Sequence, residues 1–396
     1  MTKDLLHIKI YEDLFSRANN ESGAENDRYL LKSDIVNGFP NNFMTEELKN
    51  AIDNDEVEYA FTSGTTSNRM QVIRPKNWWK DEYARTYNNN KLLRRCVDES
   101  LPKAVLTTAV CSNTVCFACL PSFEERIING TLYLNSEFNP WNWTQEDIKN
   151  ILFELKKFNT YYLDVDPIYF YIFLLKLEEY GLEDEMYMPK VMTVCYEYAP
   201  KSILKYIKSK VSCPVYNLYG TTEYGCVFLS DDSGDLVLCD DMLDVKFLPI
   251  EGSNNLYELV ISSWKNKYMP LFNYIPGDIF ELTSYQYKNF KSDKRVKSFA
   301  GRKKDLIIRD KLVSLCDIDV IMGEIENMGL YQVEIDNNMF FIKYTTHTTD
   351  DINEQDKKLL ISKLEELFGA GTKISLDKVC SIPPESSGKF ALIKSI

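Results

Sequence analysis

The sequence predicts an α/β protein with a large N-terminal α/β domain, residues 1–300, and a small C-terminal α/β domain, residues 301–396. Three observations lead there. Strand-like and helix-like runs alternate between residues 162 and 220, the pattern of a parallel sheet with ligands at the carboxyl ends of its strands. After Gly225 the pattern turns β-rich, with short runs at 226–229, 235–238, 244–248, 256–263 and 279–282. A polar, Lys-rich stretch at 284–298 then reads as a connector to a terminal region with strands and helices of its own.

In chain order, residues 1 to 55 read as helical with breaks, with a helix start at Leu31–Ile35 stopped by Gly38-Phe39-Pro40. Val57–Phe61 and Met70–Ile73 are strand-like. Residues 77–100 are polar and amphipathic and predict helix, and the β-branched run 104–110 predicts strand. Thr144 followed by Asp147 makes a variant capping box, and Ile148, Ile151, Leu152, Leu155 and Phe158 fall on one helical face. Pro167 opens a helix to Tyr180 that is apolar almost all round, hence buried, and Gly181 ends it. Strand 191–198, helix 200–210 and strand 214–220 follow. The terminal region predicts strand 305–309, helix 317–328, a hairpin 331–335/339–344, helix 354–368 and strand 373–376.

A formal charge of −13 argues against a nonspecific nucleic-acid binder and requires any nucleotide site to be locally positive or to use a metal ion. The first residues lack the apolar core of a signal peptide, and the longest apolar run, 168–175, is too short to span a bilayer. With irregularly spaced cysteines, the expectation is a reduced, cytoplasmic protein without a membrane anchor. Cys111, Cys116 and Cys119 invite a zinc reading, but their apolar flanks and the shortage of histidine favour buried thiols.

Five segments carry candidate chemistry. Thr62-Ser63-Gly64-Thr65-Thr66-Ser67 lies between two strand-like runs; its glycine permits close backbone approach, and its hydroxyls can donate to phosphate oxygens. On its own it reads equally as a polar hairpin turn, and it lacks the Walker pattern. Tyr219-Gly220-Thr221-Thr222-Glu223-Tyr224-Gly225 follows a strand, and Tyr274-Ile275-Pro276-Gly277-Asp278 lies between two strands. Gly301-Arg302-Lys303-Lys304-Asp305 marks the domain junction, and Ser386-Ser387-Gly388-Lys389 lies near the end. Each alone has a plain explanation as a turn, a cap or a solvated charge run.

In this order and at these separations, the five segments resemble the signature motifs of the acyl-adenylate-forming (AMP-binding) superfamily. The chain looks most like its phenylacetate–CoA ligase-like branch, through Leu30-Leu31-Lys32-Ser33-Asp34, YLDVDPIYF (162–170) and TVCYEYAP (193–200). The resemblance implies a large α/β adenylate-forming domain with a mobile C-terminal lid. It implies attack of a small carboxylic acid on the α-phosphorus of ATP, giving an acyl-AMP and pyrophosphate. By resemblance, Thr62, Ser63, Gly64, Thr65 and Thr66 cradle the departing phosphates. Thr222 contacts the α-phosphate and Glu223 holds Mg²⁺. Tyr219, with Gly220 beside it, stacks on adenine opposite the Tyr196-Glu197 loop. Asp278 accepts from the ribose hydroxyls, with Arg302 nearby. Lys389 enters with the lid as the catalytic lysine, and Lys304 matches the hinge.

The chain departs from the pattern at Ser67, in lacking a Pro-Lys after the phosphate loop, at Asn273 before Tyr274, and at Asp310. Cys226 and Cys239 stand where some branch members ligate zinc, but the histidine is missing, so no structural zinc is expected. Tyr-, Phe- and Cys-rich segments around the implied acyl pocket suit a flat aromatic acid. The acceptor stays open between coenzyme A, a carrier-protein phosphopantetheine thiol, an amine and a phenol. Two alternatives remain: an acyl-protein synthetase that loads its own Cys380, and a non-catalytic nucleotide-binding homologue.

Overall fold

A computed structural model of the protein describes residues 29–62, 70–109, 121–135, 137–369 and 371–396. Ser63, Gly64, Thr65 and Thr66 of the phosphate loop, the three cysteines Cys111, Cys116 and Cys119, and the first 28 residues lie outside the described residues. The fold is a large α/β domain followed by a small C-terminal domain.

The large domain is organised on a nine-stranded sheet. Its central strands Thr131–Tyr133, Lys103–Leu106, Tyr162–Val165, Val191–Val194 and Val215–Thr221 run parallel in that spatial order. Gly225–Ser230, Leu236–Leu238 and Arg295–Val296 extend it antiparallel. The parallel strands are buried on both faces, as crossover helices require. The helix Gln145–Lys157 opens with the Thr144–Asp147 capping box read from the sequence. Pro167–Glu179 is buried on nearly every side, because the sheet covers one face and the small domain another. A second sheet pairs Leu243–Pro249, Leu256–Ser263, Asp278–Glu281 and Ser298–Arg302, with Leu271–Tyr274 on the side of Leu256–Ser263. In the small domain, Lys373–Lys378, Met339–Thr346, Met328–Asp336 and Ile393–Ser395 form a four-stranded sheet backed by helices Leu315–Glu324 and Glu354–Phe368. Among the described residues no helix is long and apolar enough to cross a membrane.

Three expectations are corrected. The Lys-rich stretch is not a connector: Ser284–Asp293 is a helix with a Thr283–Gln286 capping box, and Phe290 anchors it against Phe228 and Phe247. Its two lysines, Lys288 and Lys291, face water, which masks a single buried side. The strand expected at 191–198 stops at Val194, because Tyr196 has φ +77° and a left-handed residue cannot continue a pleat. The strand expected at 305–309 is reduced to Ile307–Ile308, preceded by a 3₁₀ turn at Lys303–Asp305.

The two domains exchange polar groups where they meet. Helix Lys201–Lys210 begins after Pro200, which has no side-chain acceptor to cap it. Asp319 of the small domain fills that role: both its oxygens accept from Lys201 N–H, at 3.2 and 3.1 Å. Asp319 also accepts from the Tyr198 and Tyr331 hydroxyls at 3.0 and 2.9 Å. Asp319→Ala therefore removes a cap and strands two buried hydroxyls, and is expected to cost roughly 1–3 kcal/mol. A lowered denaturant midpoint with faster hydrogen exchange in residues 201–210 is the expected result; an unchanged midpoint would refute the cap.

Candidate active site

The carboxyl ends of the parallel strands converge on one edge of the large domain. Asp166, the Cys195–Glu197 turn and Glu223 follow three neighbouring strands there. Opposite them, the second sheet presents Asp278, whose backbone pairs with Arg302 across the ladder. Gly277, at φ +80°, makes the turn that begins this strand.

Asp278 is buried, at 2 % exposure. The Tyr219 hydroxyl donates to its Oδ2 at 2.6 Å, and Arg302 Nε stands 2.9 Å from its Oδ1. That ion pair is not aligned as a hydrogen bond, so Oδ1 is left without a donor. Burial raises the Asp278 carboxyl above its ordinary range, and the Arg302 charge opposes the rise. Tyr219 packs edge-on against Phe280 and tilted against Phe299, with ring centres 4.9 and 5.2 Å away.

Glu223 is also buried, and its Oε1 accepts from the Tyr274 hydroxyl at 3.0 Å. Burial pushes its carboxyl up too. The loop is tight: a Cβ on Gly220 would lie 2.7 Å from the Gly225 carbonyl oxygen, and one on Gly225 would meet Glu82 at 2.5 Å. Thr221 Oγ1 accepts from Tyr224 N–H at 3.1 Å, and Thr222 is half-buried in the turn between them. Thr62 Oγ1 accepts from Met70 N–H, closing the mouth of the preceding hairpin. A single carboxylate suits magnesium, which takes one or two from protein and completes its shell with phosphate and water. Among the described residues no three His, Cys, Asp or Glu side chains form a protein-only metal cage.

A positive group that sequence reasoning did not single out completes this side. Leu30 exchanges backbone hydrogen bonds with the Asn273–Ile275 segment, Leu30 N–H to Asn273 O and Ile275 N–H to Leu30 O, both at 2.9 Å. This strap brings Lys32 within the field of Glu223, Arg302 and Lys304. Burial lowers the Lys32 ammonium below its ordinary value, opposed by Glu223.

The C-terminal segment enters from the other side. Lys389 Nζ donates to the Tyr196 carbonyl at 2.5 Å, and Phe390 N–H donates to Glu197 Oε2 at 2.8 Å. The Tyr169 hydroxyl donates to Gly388 O at 2.9 Å. A Cβ on Gly388 would fall 1.8 Å from Thr108 Oγ1, so the segment comes this close only as glycine. The left-handed turn at Tyr196 aims its carbonyl at Lys389, and its hydroxyl is tied to Asp164 at 3.2 Å.

Residues 219–223, 278, 302 and 389 are thus brought to one region from positions far apart in the chain. Glu197, of the loop expected opposite adenine, accepts from Phe390 N–H. Lys304 is exposed in the junction turn. Cys380 is exposed after strand Lys373–Lys378. Asp166 and Asp319 went unnoticed in the sequence. A carboxylate one residue before Pro167 was a visible cap signal, whereas nothing local distinguishes Asp319.

Residues 307–396 match the family model described as the CapK C-terminal domain. A curated relative, Protein CapK of Staphylococcus aureus, is 28% identical over 195 residues, which is 46% of this chain and 41% of that protein. The match thus spans well under half the length of that relative. Among solved structures, the 2-hydroxyisobutyryl-CoA ligase in the postadenylation state with 2-HIB-AMP aligns at TM-score 0.65 and 10% identity, covering 93% of this chain and 80% of that one. The anthranilate CoA ligase AuaEII with anthranoyl-AMP aligns at 0.55 and 12%, covering 84% and 65%. The amide bond synthetase McbA from Marinactinospora thermotolerans aligns at 0.55 and 14%, covering 85% and 67%. The chain has the fold of the acyl-adenylate-forming enzymes.

Proposed function

We propose that this chain activates a small carboxylic acid with ATP, forming an acyl-AMP and releasing pyrophosphate, and then passes the acyl group to a nucleophile. The observation that carries the reading is the convergence of Tyr219, Glu223, Asp278, Arg302 and Lys389. Asp278 Oδ1 accepts no hydrogen bond and is met only by the Arg302 charge, which supports a diol ligand able to donate to it. Ribose hydroxyls supply such donors. Tyr219 offers a ring to adenine, and Thr222 and the Ser63–Thr66 loop offer donors to phosphate. Arg302 and Lys32 make the region locally positive on an acidic protein.

In this reading Lys389 neutralises the charge that develops between the attacking carboxylate and the α-phosphate. Glu223 would hold magnesium, which would neutralise phosphate charge when bound. Residues 301–396 act as a lid that turns about Lys304, and residues 1–300 bind ATP and acid. An aromatic acid is the proposed substrate, from the Tyr- and Phe-rich segments 166–175 and 193–198. A thiol of coenzyme A or of a carrier-protein phosphopantetheine is the proposed acceptor, in a cytoplasmic enzyme of the phenylacetate–CoA ligase-like branch. Support comes from the solved neighbours that hold acyl-AMP ligands.

Acid-dependent exchange of labelled pyrophosphate into ATP tests it, across benzoates, hydroxy- and aminobenzoates, phenylacetates and fatty acids. Exchange with aromatic acids above the rest is expected. Binding of ATP–Mg²⁺ without exchange for any acid would overturn adenylation. Exchange confined to fatty acids would overturn only the aromatic assignment.

A further inference from the structure

Buried Asp166 and half-buried Glu197 bring two carboxyls together beside the Lys389–Phe390 segment. Asp166 is fully buried; its Oδ1 caps helix Pro167–Glu179 by accepting from Ile168 N–H at 3.0 Å and Tyr169 N–H at 3.3 Å. Glu197 Oε2 accepts from Phe390 N–H. The remaining oxygens, Asp166 Oδ2 and Glu197 Oε1, are buried and receive no donor from the described residues, and the two carboxyls are placed to hydrogen-bond each other. Two ionised carboxylates cannot do so, because each oxygen only accepts. One proton must lie between them.

The backbone contacts assign that proton. Asp166 receives two N–H groups on Oδ1, which favours the anion there. Glu197 is then the neutral acid, its Oε1–H donating to Asp166 Oδ2 while its Oε2 receives Phe390 N–H. The charged group facing the pair is Lys389, so one negative charge meets one positive charge. Burial pushes Asp166 up to about 6, and burial with the neighbouring Asp166 charge pushes Glu197 well above the carboxylate range.

We propose that Asp166 and Glu197 are positioning residues for the lid lysine: sharing one proton, they latch the Lys389–Phe390 backbone to the large domain with Lys389 aimed at the Tyr196 carbonyl. Removing the shared proton places two negative charges side by side in a buried site, so the latch weakens. Because the folded pair binds its proton more tightly than free carboxyls do, the contact is complete at low pH. It is lost as pH rises through the titration of the Glu197 proton, which burial and the neighbouring Asp166 charge hold well above the carboxylate range.

The latch bears on the proposed function but can be tested without it. Hydrogen exchange of peptide 385–392 is followed in the full chain, without substrates, from about pH 6 to about pH 10 and corrected for intrinsic rates. In the wild type, protection is expected to fall by roughly 10-fold across this range. Glu197→Gln keeps an acceptor for Phe390 and a donor for Asp166 without a titrating proton, so its protection is expected to stay high and flat. Glu197→Ala should be unprotected throughout. In pyrophosphate exchange, Glu197→Ala should lower kcat by roughly 10-fold or more through misplacement of Lys389, and Glu197→Gln should restore it with a flattened alkaline limb. If Glu197→Gln follows the wild-type pH dependence of protection, or Glu197→Ala is as protected as wild type, the latch is wrong. If protection behaves as expected while wild type shows no pyrophosphate exchange, the latch stands and the proposed activity fails.

Discussion

Replacing Lys389 with alanine is expected to lower acid-dependent pyrophosphate exchange by roughly 10²- to 10³-fold, about 2.7–4 kcal/mol of transition-state stabilisation. ATP affinity should change little. The asymmetry follows from where the lysine sits. It arrives on the C-terminal segment and is held by the Tyr196 carbonyl, whereas Tyr219 and Arg302 are held on Asp278. In the proposed reaction its charge serves the step in which the carboxylate meets the α-phosphate, while Tyr219, Asp278 and Arg302 hold the base and ribose. Equilibrium binding of ATP–Mg²⁺ and the exchange rate, measured on the same variant, separate the two roles. Equal loss of both would make Lys389 a binding residue, and survival of exchange would remove it from the chemistry. The same pair of measurements decides against a non-catalytic nucleotide binder, which has no step for Lys389 to accelerate.

Much of the scaffold was legible because its signals are local. The Thr144–Asp147 box, Pro167 and Gly181 each act within one helical turn, and the helices they bound appear in the structure. Helix 167–179 was also legible as buried, since apolar residues on every side leave no face for water. Contacts between distant residues could not be read in this way. Asp319 lies 118 positions from the Lys201 N–H that it caps, and only the docking of the small domain makes it a cap. The contact of Glu197 with the C-terminal segment, 193 positions away, was equally hidden, since it depends on the left-handed turn at Tyr196 and on the docking of the small domain. Helix 284–293 was hidden by composition, its lysines outweighing the few residues such as Phe290 that hold it down.

Lys265→Ala is expected to cost roughly 3–5 kcal/mol of stability, more than the loss of the Asp319 cap, because it breaks a buried charge network. Lys265, Glu82 and Asp240 have side chains at most 2 % exposed. Lys265 Nζ lies 2.7 Å from Glu82 Oε1 and 2.9 Å from Asp240 Oδ2, and Arg85 contacts the same two carboxylates at 2.9 and 3.4 Å. Two anions and two cations balance. Removing Lys265 leaves two buried carboxylates on one partly exposed arginine, and the desolvation of the unmatched charge is not recovered. The network also bears on the site. Glu82 Oε1 accepts from Cys226 N–H at 2.9 Å, directly after the turn that carries Glu223, and a side chain at Gly225 would collide with it. The variant should therefore lose stability and, in whatever fraction stays folded, hold Glu223 less firmly. Denaturant unfolding gives the first quantity. The magnesium concentration needed for half-maximal exchange gives the second and should rise. Lys265→Met, which keeps the side-chain length but not the charge, separates packing from electrostatics. If it restores the wild-type midpoint, the network acts through packing and the charge argument fails; if it remains as destabilised as Lys265→Ala, the unmatched carboxylates are the cause.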